Sequence, residues 1–525
     1  MKTLIKKTKI LAILLMVFLS LGACKTKPTK TVTCETATIV DLPEVTIVSV
    51  TQETGMAPHC KIAGIIGTDI KFELLLPHDW NGKFVMGGGG GYVGSVINTA
   101  LAYGVLQKGY ATVGTDTGHE GHPLSGSWAL NNPEAIVNFG HLGVHRTTVT
   151  AKAIIEAYYE QEIDYSYFFG CSRGGGQALM EAQRYPDDFD GIVSGAPAYD
   201  WVNGIGAGMV HNQRYMYPNP NEIGDPLISR DDLQLVFDTY MAMCDKLDGV
   251  EDGVLLDPRA CPFDIESLLC EGEENGKCLS QEKVTALKAI YEGPKGENGQ
   301  IFPGFPIGLE TNLDGWFKWM TGGVNHLEDA DEFQAGVTSE IEAPVVPNAQ
   351  FGFGVDMLKY FVYHDENWDY VDYDLNQLEY DARVIAKTMN ATDPDLSEFR
   401  SNGGKLLMYT GWGDMAITPL GTIAYYEDVI KNDPTAEKDV KLFMMPGVGH
   451  CFGGDGPFWV NWVDEIDNWV SGSNTPDQIA VYYLDETMQP TGTNKLCPYP
   501  QVAIYDGTGD PKDISSYSCG ELRIE

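Results

Sequence analysis

The sequence predicts an α/β fold whose parallel sheet is interrupted by a long insertion. Three observations predict it. β-like runs alternate with helical patterns near both ends of the chain, the middle changes texture, and a glycine-framed serine stands at one strand-to-helix turn.

In chain order, Lys61 to Pro77 and Gly82 to Met86 read as β-like runs ending in turn signals. Gly87 to Gly91 is an unbroken glycine loop after the second run, and Tyr110 to Thr115 is another β-like run. Val144 to Glu160 carries apolar residues at helical spacing, and Tyr165 to Phe169 is a short aromatic strand. Gly170-Cys171-Ser172-Arg173-Gly174 follows, then a helical stretch to about Arg184 and a strand from Gly191 to Ser194. Such alternation implies parallel strands.

From about Asp200 the chain becomes rich in Gly, Pro, Trp and Tyr, with few β-runs, and it stays so until about residue 400. This stretch reads as an inserted lid. Alternation resumes with a strand Lys405 to Thr410, a helix Ile417 to Ile430 and a strand Val440 to Met445, and Asp464 to Trp469 lies in a helix. Asp506 to Asp510 reads as a turn, and no internal repeat is visible. The expected boundaries are 1–23 for a signal segment, 24–58 for a tether and N-terminal segment, 59–200 with 400–525 for the core, and 201–399 for the lid.

The 525 residues exceed one ordinary domain, and 43% hydrophobic with 21% charged residues is a globular balance. Acidic residues number 74 against 35 basic, a formal net charge of −39. That surface repels phosphate backbones and argues against a nucleic-acid partner. The acids are scattered, as on a solubilising surface.

Lys2, Lys6, Lys7 and Lys9 precede an apolar run from Ile10 to Leu21 that is too short to span a bilayer comfortably. Leu21-Gly22-Ala23-Cys24 then resembles a bacterial lipobox, in which Cys24 is lipidated and anchors the mature protein. The Lys/Thr-rich stretch Thr26 to Thr33 reads as a tether. The expectation is an exported bacterial lipoprotein, periplasmic or on the cell surface, that meets the membrane only through its lipid and is otherwise a monomer.

Eleven cysteines occur, and setting Cys24 aside leaves an even set, which argues for disulfides in an exported protein. Nearness in sequence suggests Cys244–Cys261, Cys270–Cys278, Cys497–Cys519 and Cys34–Cys60, which leaves Cys171 and Cys451. A zinc site is the alternative, but no C-x-x-C spacing occurs.

The chemistry centres on Ser172. Gly170-x-Ser172-x-Gly174 between a strand and a helix is a nucleophile elbow, whose bend admits little but glycine beside the serine. The following helix N-terminus favours developing negative charge. A serine hydroxyl needs a base, and the base an orienting acid, in the chain order Ser, acid, His on an α/β-hydrolase. The strand Lys405–Thr410 runs into Gly411-Trp412-Gly413-Asp414, and the strand Val440–Met445 into Pro446-Gly447-Val448-Gly449-His450-Cys451. Asp414 and His450 thus stand at successive strand ends in the required order. If Ser172 and His450 meet, Cys171 and Cys451 come within disulfide distance and would clamp nucleophile to base. One oxyanion donor should be the backbone N–H of Arg173, and the other an N–H of the loop Gly87 to Gly91. A phosphate-cradling role for these glycines is disfavoured because no Lys-Ser/Thr follows.

A second constellation, Asp245 to Val254, contains aspartates at 245, 248 and 252 separated by glycine, which suits a hard, oxygen-loving cation but lacks the EF-hand pattern. Trp316, Phe317, Trp319, Phe351, Phe353, Tyr360 and Phe361 could line an aromatic pocket, although each alone reads more readily as core. His119 and His122 have a metal-like proximity that is ordinary for a loop.

These motifs together resemble the tannase/feruloyl esterase family. The matching residues are Asp116-Thr117-Gly118-His119, Trp128-Ala129, Asn132-Pro133-Glu134, Gly170 to Gly175, Ala182 to Pro186, Phe189-Asp190-Gly191, Gly195 to Ala198, Gly411-x-Gly413-Asp414 and Gly449-His450-Cys451. The resemblance implies an α/β-hydrolase core with a large inserted lid domain that hydrolyses esters of phenolic acids. It implies Ser172 as nucleophile, Asp414 as acid, His450 as base and Cys171–Cys451 as clamp. It points to Gly90 as the second oxyanion donor. It also implies a structural Ca²⁺ in the lid, held by the side chains of Asp245, Asp248 and Asp252 and the carbonyls of Val250 and Val254. Gly176 departs from the pattern, since many relatives carry a basic residue there.

The function so implied is a secreted serine carboxylic-ester hydrolase acting through an acyl-enzyme on a small aromatic ester or a phenolic-ester-decorated polysaccharide. The alternatives are an esterase of other small or aromatic diesters such as a terephthalate monoester, an esterase of acetylated sugars, a peptidase, and a non-catalytic surface binding lipoprotein.

Overall fold

The computed structural model describes residues 34, 41–55, 57–219, 223–322 and 346–522. The expected signal segment, the lipidation candidate Cys24 and the tether lie outside the described residues. Among the described residues no helix is long and apolar enough to cross a membrane.

Strands β1 (Val45–Glu53), β2 (His59–Ile66), β3 (Ile70–Pro77), β4 (Lys83–Gly87), β5 (Ala111–Thr115), β6 (Tyr165–Cys171) and β7 (Gly191–Gly195) precede the insertion. Among the described residues the regular elements of the insertion are helices and one short hairpin, β8 (Lys295–Gly296) with β9 (Gly299–Gln300). Strands β10 (Lys405–Gly411) and β11 (Val440–Met445) complete a nine-stranded sheet of order β1-β2-β3-β5-β4-β6-β7-β10-β11. Two C-terminal hairpins follow, β12 (Ile479–Leu484) with β13 (Pro490–Leu496), and β14 (Val502–Tyr505) with β15 (Tyr517–Gly520).

The sheet is mixed, and not parallel throughout. The run Lys61 to Pro77 is two strands that turn back at Gly67, so β1, β2, β3 and β5 pair antiparallel, and β5, β4, β6, β7, β10 and β11 pair parallel in that order. The burial of each strand matches its place. Along β2 and β3 buried residues alternate with partly exposed ones, as on a sheet with one wet face. Strands β5 and β7 are buried at every position, as parallel strands covered on both faces are.

Alternate residues feed opposite layers. Phe84, Met86, Phe168, Ile192, Leu406 and Met408 pack with the helices Gly143–Tyr159, Arg173–Arg184 and Pro419–Asn432. Val85, Tyr167, Phe169, Val193, Leu407 and Tyr409 pack against the helix Trp462–Val470. A third apolar cluster joins the insertion to the core through Tyr92, Phe139, Trp201, Trp316, Trp319, Phe353 and Phe361.

Because β4, β6, β10 and β11 run the same way, the loops that follow them leave from one sheet edge. That edge carries the glycine loop, Ser172, Asp414 and His450 together, which is where ligands meet an open α/β sheet.

Candidate active site

Ser172 lies between β6 and the helix Arg173–Arg184 with φ 62° and ψ −123°. A non-glycine residue in that region is strained, and the strain is held by its surroundings. Its N–H donates to Gly195 O at 3.0 Å, and its carbonyl accepts from Gly176 N and Ala198 N at 3.1 and 3.0 Å. The bend requires glycine at 170, where a Cβ would stand 2.4 Å from the backbone of Gly174. The half-buried Ser172 hydroxyl makes no hydrogen bond among the described residues, so the structure does not join it directly to His450.

Asp414 is fully buried. One carboxylate oxygen accepts the N–H groups of Ala416 and Ile417 at 2.8 and 2.9 Å, and the other lies 2.8 Å from His450 Nδ1. With Nδ1 donating to this carboxylate, Nε2 is left to accept a proton. The edge of Trp319 meets the His450 ring at 5.0 Å between centroids. A disulfide joins Cys171 to Cys451, with Cα atoms 5.9 Å apart, and so ties the residue before Ser172 to the residue after His450.

The glycine loop approaches the elbow closely. Gly88 N donates to Phe169 O at 2.8 Å and Gly89 N to Gln177 Oε1 at 3.0 Å. Among the described residues the N–H groups of Gly90 and Gly91 have no partner, and Gly90 alone of the five faces open space. The Arg173 N–H, first in its helix, has no intrahelical acceptor.

The departure at Gly176 has a steric cause, since a Cβ there would stand 2.1 Å from Ala198 O. The guanidinium in this region belongs instead to Arg173, which is buried among Phe139 and Trp201.

The other named candidates fall as follows. The structure also joins Cys34–Cys60, Cys244–Cys261, Cys270–Cys278 and Cys497–Cys519, so no described cysteine is left as a zinc ligand. His119 stacks on Trp128 at 3.6 Å and bonds Tyr92 O through Nε2, while His122 Nδ1 accepts from Leu124 N. Burial pulls His119 down to about 4. Trp316, Trp319, Phe353 and Phe361 belong to the buried cluster; Phe317, Phe351 and Tyr360 are only partly covered.

The acidic loop offers an all-oxygen donor set. Asp245 accepts from Gly253 N, Asp248 from Val250 N and Leu256 N, and Asp252 from Val254 N. Among the described residues no N–H reaches the carbonyls of Val250 or Val254. Burial, with the charges of its neighbours, pushes Asp248 up to about 6 and raises Asp252. The two unpartnered carbonyls and the acidic side chains beside them suit a hard divalent cation, although the three carboxylates, each already accepting backbone N–H groups, do not converge within 4.8 Å of one another. The loop lies against β12 to β15, and Val254 packs on Gly447 in the segment leading to His450.

Sequence reasoning named Trp319 as a pocket candidate without placing it against His450, and it missed the central place of Tyr92 and a group of half-buried His145 with buried Glu181 and Asp188 whose ligand atoms lie within 4.8 Å of one another. Tyr92, directly after the glycine loop, was the one with a sequence signal.

A family model described as Tannase and feruloyl esterase matches residues 52–520. An esterase of Xanthomonas campestris pv. campestris is 30% identical over 97% of this chain and 95% of its own length. The mono(2-hydroxyethyl) terephthalate hydrolase of Piscinibacter sakaiensis is 30% identical over 88% of this chain and 84% of its own. The crystal structure of feruloyl esterase B from Aspergillus oryzae superposes with a TM-score of 0.78 at 25% identity, over 92% of this chain and 98% of that one. Sequence and architecture agree: the chain belongs to the tannase and feruloyl esterase family.

Proposed function

We propose that this esterase-family chain is an exported serine carboxylesterase that cleaves esters of aromatic acids through an acyl-enzyme. The observation that carries the reading is the Asp414–His450 hydrogen bond at 2.8 Å, tied to the strained Ser172 elbow by Cys171–Cys451.

In this mechanism Asp414 holds the imbalance of charge as His450 Nε2 takes the Ser172 proton. Ser172 Oγ attacks the ester carbonyl. The N–H groups of Arg173 and Gly90 hold the oxyanion, the second chosen because it faces open space without a partner. Protonated His450 gives its proton to the departing alcohol, and water, activated by the same imidazole, releases the acid. The inserted segment 201–399 acts as a lid that supplies Trp319 to the wall beside His450.

Asp245, Asp248, Asp252 and the carbonyls of Val250 and Val254 would hold a structural Ca²⁺. When bound it would supply charge balance for the acidic loop. Five disulfides support an oxidising, extracytoplasmic location, and the Cys24 motif a lipid anchor.

The test is hydrolysis of methyl ferulate, methyl gallate and a terephthalate monoester by wild type and Ser172→Ala. Turnover by wild type and its loss in the variant is the expected result, and the ranking assigns the acyl group. No turnover of any of the three by folded, calcium-replete protein would overturn the reading.

A further inference from the structure

Arg173 opens the helix at the elbow, yet its side chain is 1% exposed. A cation at a helix N-terminus opposes the macrodipole, and a buried one loses its hydration. Among the described residues no carboxylate offsets these costs. Nη2 donates to the carbonyls of Phe139 and Gly140, while Nε and Nη1 have no partner. The remaining contacts are aromatic, with Cζ 4.3 Å from the Phe139 ring centre and 5.3 Å from that of Trp201. Burial pulls the group down to about 9, which leaves it a cation at neutral pH.

The rings around it continue to the other side of the site. Tyr92 packs on Phe139, Trp201 and Phe353; Phe353 stacks on Trp319 at 6.2 Å; and Trp319 meets His450. A charge set in such apolar surroundings is weakly screened. Among the described residues His141 also faces Arg173, and burial, then the charges of Arg184, Arg173 and His145, hold it low. On the far side Asp414 faces His450.

Covalent length fixes how far the charge can act. An arginine guanidinium lies within about 8 Å of its own backbone nitrogen. That nitrogen is one of the two oxyanion donors assigned above.

We propose that the Arg173 guanidinium is an electrostatic positioning group for the reaction: with no counter-ion among the described residues, it stabilises the oxyanion that forms beside its own backbone N–H. The inference rests on the serine-esterase reading. A unit charge about 10 Å from the oxyanion, at an effective dielectric of about 20, corresponds to roughly tenfold in rate.

The experiment compares Arg173→Met and Arg173→Lys with wild type on the best ester of the panel, per active site titrated with a fluorophosphonate. It also measures inhibition by phenylboronic acid, whose serine adduct is a tetrahedral anion. Arg173→Met should lower kcat roughly tenfold and weaken the boronic acid by the same factor, with KM within about twofold; Arg173→Lys should restore both. Equal impairment of the two variants, or an Arg173→Met enzyme that matches wild type, overturns the proposal. Should Arg173→Met not fold, Arg173→Lys decides alone: kcat within about threefold of wild type supports a charge effect, and a loss of about tenfold overturns it. A wild type that hydrolyses no ester removes both readings, whereas an active wild type equalled by Arg173→Met removes only this one.

Discussion

His450 Nδ1 lies 2.8 Å from a carboxylate oxygen of Asp414, and the other oxygen of that fully buried carboxylate is held by two backbone N–H groups. The acid is therefore fixed before the imidazole meets it. Asp414→Asn keeps the shape but reverses the donor and acceptor roles at Nδ1. It should lower kcat by about 10⁴ with little change in KM. Steady-state kinetics on the best ester of the panel check this; a loss under tenfold would remove Asp414 from the mechanism.

The Cys171–Cys451 bridge joins residues 280 positions apart. The chain-entropy model gives such a link about 5–6 kcal/mol as an upper bound. Cys171→Ala with Cys451→Ala should lower both Tm and kcat, because the bridge also sets how near His450 stands to Ser172. Cys270→Ala with Cys278→Ala breaks a bridge confined to the insertion and should leave kcat unchanged. Equal kinetic loss in the two double variants would mean that neither bridge aligns the site.

Asp248 stands near 6 against an ordinary 3.8 because it is buried among other acids. An acid raised by folding keeps a proton that the unfolded chain releases. Without a cation its contribution to stability is full below about 4 and is lost as pH rises through about 6. A divalent cation must displace that proton. The Tm gained on adding calcium should be small at pH 5, full above pH 7, and absent in Asp248→Asn. A gain independent of pH, or one that survives the substitution, would place the cation elsewhere.

Glu181 is 1% exposed, and among the described residues no N–H donor reaches either carboxylate oxygen. Burial, then the neighbouring Asp188, pushes it well above the usual range, while Lys152 acts the other way. The sign is again that of a raised acid: stability is lost as pH rises above its unfolded value. Glu181→Gln, which mimics the protonated form, should therefore raise Tm at pH 8 and leave it unchanged near pH 4. Destabilisation at pH 8 would show that the ionised carboxylate is needed, with Lys152 as its partner.

The elbow was legible because Gly170 and Gly174 frame a serine between a strand and a helix. The pairing of Asp414 with His450 was legible because two parallel strands, β10 and β11, deliver their following loops to one edge. The hairpin β2–β3 was less so. Its turn at Gly67 lies inside what reads as one apolar run, and the antiparallel half of the sheet stayed hidden with it. Trp319 could not be placed from sequence, since its approach to His450 depends on how the insertion folds back over the core. The motif around Ser172 assigns a role to the Arg173 backbone N–H and says nothing of its side chain. Only the fold brings the carbonyls of Phe139 and Gly140 over it.

The disulfide pattern has a consequence for biogenesis. Four bridges join cysteines that are consecutive along the described chain, but Cys171–Cys451 encloses two of them. An oxidant that pairs thiols in order of emergence would join Cys171 to Cys244, then Cys261 to Cys270 and Cys278 to Cys451. The bridge beside the reactive serine would then be reached only by exchange. A host supplying thiol oxidation without isomerisation should therefore yield protein that is soluble but scrambled, with the thiol chemistry of secretion, and not translation, limiting the harvest of competent molecules.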